Sequence, residues 1–212
     1  MRTLIIVCAT ILIAQGTAGM SCNTTDIATC FASVADGGVI DLAPGTMSSG
    51  DGISAYAQFY MQDKHVTIAC NGRGETCTLK GASGKGVVRL KNNRGTTILA
   101  RLIIRDGDNT ESSTSYGDSG GGLYVSYSNV NIVMSSFVDN NAGNSGGAIY
   151  VTCDSGVHPS TVTLQGCTFE GNRADDNGSD IYNSQQTVVI SECPRTCILA
   201  GSPCWDAHHY HM

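Results

Sequence analysis

The chain has 212 residues, a charged fraction of 14% and an aromatic fraction of 6%, with 26 glycines. So few charged residues, set among so many Gly, Ser, Thr and Asn, argue against helical bundles and coiled coils and suit a Gly-punctuated β protein. The formal net charge of −6 disfavours nucleic acid and anionic membrane surfaces as partners, and an apolar fraction of 41% is too high for a disordered chain.

Residues 1–18 read as a signal peptide. Arg2 precedes the apolar run Leu4–Ala14, and Gly16 and Ala18 are small residues at −3 and −1 of a cut after Ala18. The run is shorter than the roughly 20 residues that span a bilayer, and no later segment is apolar enough to do so. An exported protein without a transmembrane anchor is expected. The remaining chain carries 11 Lys+Arg against 18 Asp+Glu.

Residues 22–36 are expected to form a capping helix. Thr24 or Thr25 is its N-cap, Ile27, Cys30, Phe31 and Val34 form one apolar stripe, and Gly37-Gly38 end it. Beyond it the chain repeats. VNIVMSSFVDNNAGNSGGAIY (130–150) matches VTLQGCTFEGNRADDNGSDIY (162–182) at a constant offset of 32, without gaps. Val130, Ile132, Phe137, Asn140, Gly146, Ile149 and Tyr150 fall on Val162, Leu164, Phe169, Asn172, Gly178, Ile181 and Tyr182. A partial copy follows, with Val188, Ile190 and Cys193 standing 26 after Val162, Leu164 and Cys167. The 97–107 segment has the same apolar rhythm, and GGLYV (121–125) repeats the Gly-Gly-apolar-Tyr element.

Repeats of 20 to 50 residues indicate stacking, because one unit cannot bury its apolar face alone. Within each unit, short strands with period-two alternation are broken by Gly or Asn. The expected fold is all-β: a single-stranded, right-handed parallel β-helix of about five or six coils. A propeller needs about 40 residues and four strands per blade, more than these units supply. Asn140 and Asn172, three residues after each Phe, suit a turn at which Asn bonds backbone or takes the left-handed conformation. The expected organisation is a β-helix domain over 19–193 and a Cys/His-containing tail or cap over 194–212.

Two sets of motifs carry a family resemblance. ADGGVIDLAPGTM (35–47) resembles the opening of right-handed β-helix proteins of the pectate-lyase-like superfamily. FVDN (137–140) with GGAI (146–149) resembles the FxxN/GGAI repeats of polymorphic outer membrane proteins. FEGN (169–172) is a second FxxN, whose GGAI partner has become GSDI (178–181). The resemblance implies the β-helix fold over about 22–193. It implies no single function, because function resides in sites rather than in folds.

Cys22, Cys30, Cys70, Cys77, Cys153, Cys167, Cys193, Cys197 and Cys204 remain after the leader, and in an exported chain they read as disulfides. Cys22–Cys30 and Cys70–Cys77 are local pairs, Cys153–Cys167 would span one turn of chain, and one cysteine is left over. Asn23 and Asn177 sit in glycosylation acceptor motifs.

Catalytic signals are sparse. Asp175 and Asp176 are the densest acidic group in the repeats, but the residues that accompany the Asp pair of polygalacturonase-like relatives are missing. Arg101, Arg105 and Asp106 precede the longest polar excursion, 106–121, and are the candidates for a lyase or epimerase site. His208, His209 and His211 could ligate a transition metal. No cofactor motif occurs. The expected function is a secreted, non-catalytic binding or adhesion module for cell-surface or matrix carbohydrate. A polysaccharide lyase, epimerase or hydrolase is the alternative, and a structural wall or coat component the third.

Overall fold

The computed structural model describes residues 19–23, 27–48, 57–72, 74–110, 118–153, 159–184 and 186–191. These residues form a parallel β-helix with one short helix near its start. The seven-stranded face stacks Met20–Cys22, Val39–Leu42, Thr67–Cys70, Thr96–Ala100, Asn129–Val133, Thr161–Gln165 and Thr187–Ser191. The chain then turns onto a second face of five strands, Gly45–Met47, Cys77–Lys80, Leu102–Arg105, Ser136–Val138 and Thr168–Glu170. The third face, also five-stranded, holds Ala57–Gln62, Gly86–Lys91, Leu123–Ser126, Ile149–Thr152 and Ile181–Asn183. A strip of three two-residue strands, Asp108–Asn109, Asn141–Ala142 and Arg173–Ala174, edges the corner between the second and third faces.

The core consists of rows running along the axis, because in-register parallel pairing sets like upon like. Ile40, Ile68, Leu99, Ile132, Leu164 and Ile190 form one row. Met47, Leu79, Ile104, Phe137 and Phe169 form the second, and Phe59, Val88, Leu123, Ile149 and Ile181 the third. Most of these side chains are inaccessible to solvent, while at the C-terminal end Phe169 and Ile181 are only half-buried and Ile190 is 36% exposed. The repeat register read from the sequence is the register of the sheets: Val130 pairs with Val162, Ile132 with Leu164 and Phe137 with Phe169.

The capping helix is shorter than expected, Ile27–Ser33, but its stripe is buried as read, at Ile27, Cys30, Phe31 and Val34. Thr24 and Thr25 lie outside the described residues. Phe31 packs on Phe59 with ring centroids 4.8 Å apart. Helix ends leave carbonyls without partners. Here Lys64 Nζ donates to Phe31 O, Ala32 O and Val34 O at 3.1, 3.3 and 3.0 Å, so one cation closes the helix end. Sequence reading also missed the strand Met20–Cys22 ahead of the helix. It pairs with Ile40–Leu42, and the Cys22–Cys30 disulfide ties it to the helix.

Cys70–Cys77 is the second disulfide, with Cα atoms 5.4 Å apart. Cys153 and Cys167 are not joined to each other. Cys153 follows the third-face strand Ile149–Thr152, whereas Cys167 follows Thr161–Gln165 on the seven-stranded face. A five-residue strand between them spans about 16 Å, well beyond disulfide reach.

Among the described residues several corners repeat a left-handed residue from coil to coil. Asp106, Asp139 and Gly171 leave the second face at φ 55°, 53° and 67°. This corrects the turn chemistry expected of the FxxN motif: Asp139 takes the left-handed conformation, and Asn140 supplies hydrogen bonds alone. Asn140 Oδ1 accepts from Gly107 N at 3.1 Å, while its Nδ2 donates to Ile104 O at 3.0 Å and to Asn172 Oδ1 at 2.9 Å. Asn172 Oδ1 accepts from Asn140 N in turn, and its Nδ2 reaches Phe137 O at 3.1 Å and Asp180 Oδ1 at 3.0 Å. Two buried amides thus serve backbone groups of two coils and tie them to Asp180 on a third.

Candidate functional site

The third face hands the chain to the seven-stranded face through another left-handed row, Asp63, Asn92 and Tyr127, at φ 60°, 57° and 50°. Asp63 N donates to Lys91 O and Asn92 N to Ser126 O, both at 3.0 Å, so the row is locked coil to coil. The next residues inward are Asn93 and Ser128, with Ser160 one coil further on. Asn93 N donates to Ser128 Oγ at 3.2 Å, Ser128 N to Ser160 Oγ at 3.3 Å, and Ser160 N to Gln186 Oε1 at 2.8 Å. The two serine hydroxyls donate onward to Ser126 O and Thr152 O.

This corner carries a cleft of about 900 Å³, lined by Asp63, Asn92, Asn93, Arg94, Tyr127, Ser128, Asn129, Pro159 and Thr161. Its floor is rigid because it is built from the buried hydroxyl and amide row. Asn93 is 2% exposed, and its Oδ1 is buried without a hydrogen-bond donor among the described residues. Amides, hydroxyls, one phenol and one guanidinium make a lining that can donate to and accept from a polyhydroxylated ligand. Asp63 is the one carboxylate among the described lining residues.

A second candidate surface is the outward row of the third face: Tyr60, Arg89, Tyr124, Tyr150 and Tyr182 are Cα partners from strand to strand. The Arg89 guanidinium lies 3.9 Å from the Tyr124 ring centroid. Tyr124 and Tyr150 stack at 5.3 Å, and Tyr150 and Tyr182 at 5.5 Å. The ring faces are therefore spent on one another and on Arg89, and Tyr124 and Tyr150 are only 3% and 7% exposed. The stacked centre of the row braces the sheet, and Tyr60 and Tyr182 at its ends are half-buried.

None of the sequence-level catalytic candidates lines the cleft. Arg101 is exposed at the corner between the seven-stranded and second faces. Arg105 and Asp106 lie at the far end of that second-face strand. Arg105 Nε meets Asp106 Oδ2 at 3.1 Å and its Nη2 meets Asp139 Oδ2 at 3.4 Å, while Lys80 Nζ stands 3.7 Å from Asp106 Oδ2. These groups are one-third to one-half exposed and pair with each other as surface ions do. Asp175 and Asp176 are exposed in a turn whose N–H groups donate to Ala142 O and Asn144 O at 3.1 and 2.9 Å. His208, His209 and His211, like Cys193, Cys197 and Cys204, lie outside the described residues. Asn23 and Asn177 are both exposed.

Among the described residues three ionisable groups are shifted. The backbone N–H of His65 donates to Asp36 Oδ1 at 2.8 Å and, with the His65 ring, holds the Asp36 carboxyl below its ordinary range. Burial pushes the Asp180 carboxyl up against the opposing Asn172 hydrogen bond. Burial also pushes the Cys167 thiol up. None of the three lines the cleft.

Compared with protein-family models, curated proteins and solved structures, the chain matches none. Among the described residues no helix is long and apolar enough to cross a membrane.

Proposed function

We propose that this chain is an exported, non-catalytic binding module whose ligand is carbohydrate of the cell surface or matrix. The observation that carries the reading is the polar cleft at the corner of the third and seven-stranded faces. Asn92, Asn129 and Thr161 present neutral donors and acceptors above the buried Asn93 and Ser128, and Tyr127 adds an apolar ring with a hydroxyl. That mixture suits sugars, which are dense in hydroxyls and carry apolar C–H faces. The cleft volume falls within the range of small-molecule sites.

Two local disulfides and the leader-like N-terminus support export. The resemblance to pectate-lyase-like β-helices and to FxxN/GGAI repeats supports a surface or secreted setting, and it is part of this proposal. Hydrolysis in the cleft would call for a second carboxylate about 5–10 Å from Asp63, and the described lining supplies none. Lyase or epimerase action at Arg105 and Asp106 would first have to break their mutual pairing.

A glycan-array screen run beside a reducing-end release assay on neutral and acidic polysaccharides tests the reading. Retention on glycans without product is the expected result. Release or epimerisation of any polymer, abolished by Arg105→Ala or Asp106→Ala, would establish the enzyme instead.

A further inference from the structure

We propose that Asn177 is a site of spontaneous deamidation, converted through a succinimide to aspartate and isoaspartate. Asn177-Gly178 and Asn71-Gly72 are the two Asn-Gly pairs of the sequence. Such a pair favours the reaction, because glycine has no side chain to shield the nitrogen that attacks. Asn177 and Gly178 are both exposed, in a turn where Gly178 takes φ 62°.

The end of the solenoid leaves that nitrogen free. Equivalent glycines on earlier coils are held by the coil that follows: Gly120 N donates to Ser145 O at 3.1 Å, and Gly146 N to Asn177 O at 2.9 Å. Gly178 is their counterpart on the last described coil of this row. Its N–H has no acceptor, and the Asn177 side-chain amide no partner, among the described residues.

Two other asparagines give internal contrasts. In Asn183-Ser184 the amide and the nucleophile are both occupied. Asn183 Oδ1 accepts from Gln186 N at 2.7 Å, its Nδ2 donates to Gln186 O, and Ser184 N donates to Val151 O at 2.9 Å. Asn71-Gly72 lies in the loop closed by Cys70–Cys77, and a Cβ on Gly72 would meet the Pro44 and Glu75 side chains at 2.8 Å. That packing resists the backbone motion that brings Asn71 Cγ onto Gly72 N.

The chemistry balances with water alone. Hydroxide takes the proton from Gly178 N, and the nitrogen attacks Asn177 Cγ. The N–Cγ bond forms, the Cγ–Nδ2 bond breaks, and Nδ2 leaves as ammonia. Water then opens the succinimide at either carbonyl, giving aspartate or isoaspartate. Conversion adds a carboxylate beside Asp175 and Asp176 and abolishes the glycosylation acceptor Asn177-Gly178-Ser179.

Tryptic mapping of the unglycosylated full chain, folded with its disulfides and sampled over time in mildly alkaline buffer, tests the assignment. Cleavage after Arg173 and Arg195 places Asn177 and Asn183 on 174–195, and cleavage after Lys64 and Arg73 places Asn71 on 65–73. The expected result is amide-to-acid conversion at Asn177 several-fold faster than at Asn71, with Asn183 unchanged. The rate should rise with pH, and an isoaspartyl methyltransferase should label the product. In the reduced chain in urea, Asn177 and Asn71 should convert at comparable rates. An unchanged Asn177 amide would overturn the proposal, as would conversion of Asn71 or Asn183 in the folded chain as fast as that of Asn177. The same Asn177-to-Asn71 difference persisting in urea would overturn the role given to the solenoid end.

Discussion

Phe137 and Phe169 stand one above the other on successive coils, with ring centroids 5.3 Å apart and planes 8° from parallel. The pair continues the row from Met47 through Leu79 and Ile104, yet its members differ in burial. Phe137 is covered on both sides, whereas Phe169 lies on the last described coil of the second face and is half-buried. Phe137→Ala should therefore cost about 3–5 kcal/mol and Phe169→Ala distinctly less. Urea denaturation of the two variants measures the difference; equal costs would contradict the row.

The Asn140–Asn172 pair should matter as much as an apolar row. Asn140→Ala strands Gly107 N–H in the interior, at about 1–3 kcal/mol, and removes a second donor from Ile104 O. Asn140→Asp should be worse, because it sets a buried carboxylate oxygen against Ile104 O and Asn172 Oδ1. Thermal melts rank the two variants, and an Asn140→Asp protein as stable as the parent would refute the network.

The GGAI motif has a steric reason that its degenerate copy confirms. A Cβ on Gly147 would lie 2.2 Å from Arg173 O and 2.3 Å from Ser179 O, backbone atoms of the coil stacked upon it. The equivalent residue on that last coil is Ser179, where no described coil follows. Gly147→Ala should fail to fold or melt far below the parent, while Ser179→Gly should be nearly neutral. Circular dichroism melts of both variants check this, and a tolerated Gly147→Ala would contradict the stacking.

Asp36 and Asp180 should answer acid in opposite directions. The Asp36 carboxyl is held below its ordinary value of 3.8, so the stability it adds is present above that value and lost as pH falls through its folded pKa. Asp180 is raised by burial, so the folded state holds its proton more tightly, and stability falls as pH rises from 3.8 through the raised pKa. Asp180→Asn keeps an acceptor for Asn172 Nδ2 and removes the buried charge. It should raise the melting temperature at pH 7 and leave it nearly unchanged at pH 3. A lower melting temperature at pH 7 would contradict the assignment.

What could be read from the sequence follows from what the fold repeats. The gapless offset between Val130–Tyr150 and Val162–Tyr182 carries the register, because one coil at constant length sets each inward residue on its counterpart. The apolar helix stripe and the two local disulfides were legible for the same reason, since all their determinants are near in sequence. The cleft was not. Asp63, Asn92 and Tyr127 align only because earlier coils of unequal length reach the same corner, and nothing in their residue types repeats. The failed Cys153–Cys167 pairing has the same origin, since sequence proximity hid two different corners. Lys64 as the helix cap required a contact about thirty residues away.

The binding reading stands or falls on the cleft, and isothermal titration of a glycan retained on the array measures it most directly. Tyr127→Ala and Asn129→Ala should each weaken binding about 10-fold or more, equivalent to about 1.4 kcal/mol. Arg101→Ala and Asp175→Ala, on other corners, should leave the affinity unchanged. Undiminished binding by both cleft variants, with melting temperatures equal to the parent's, would contradict the account.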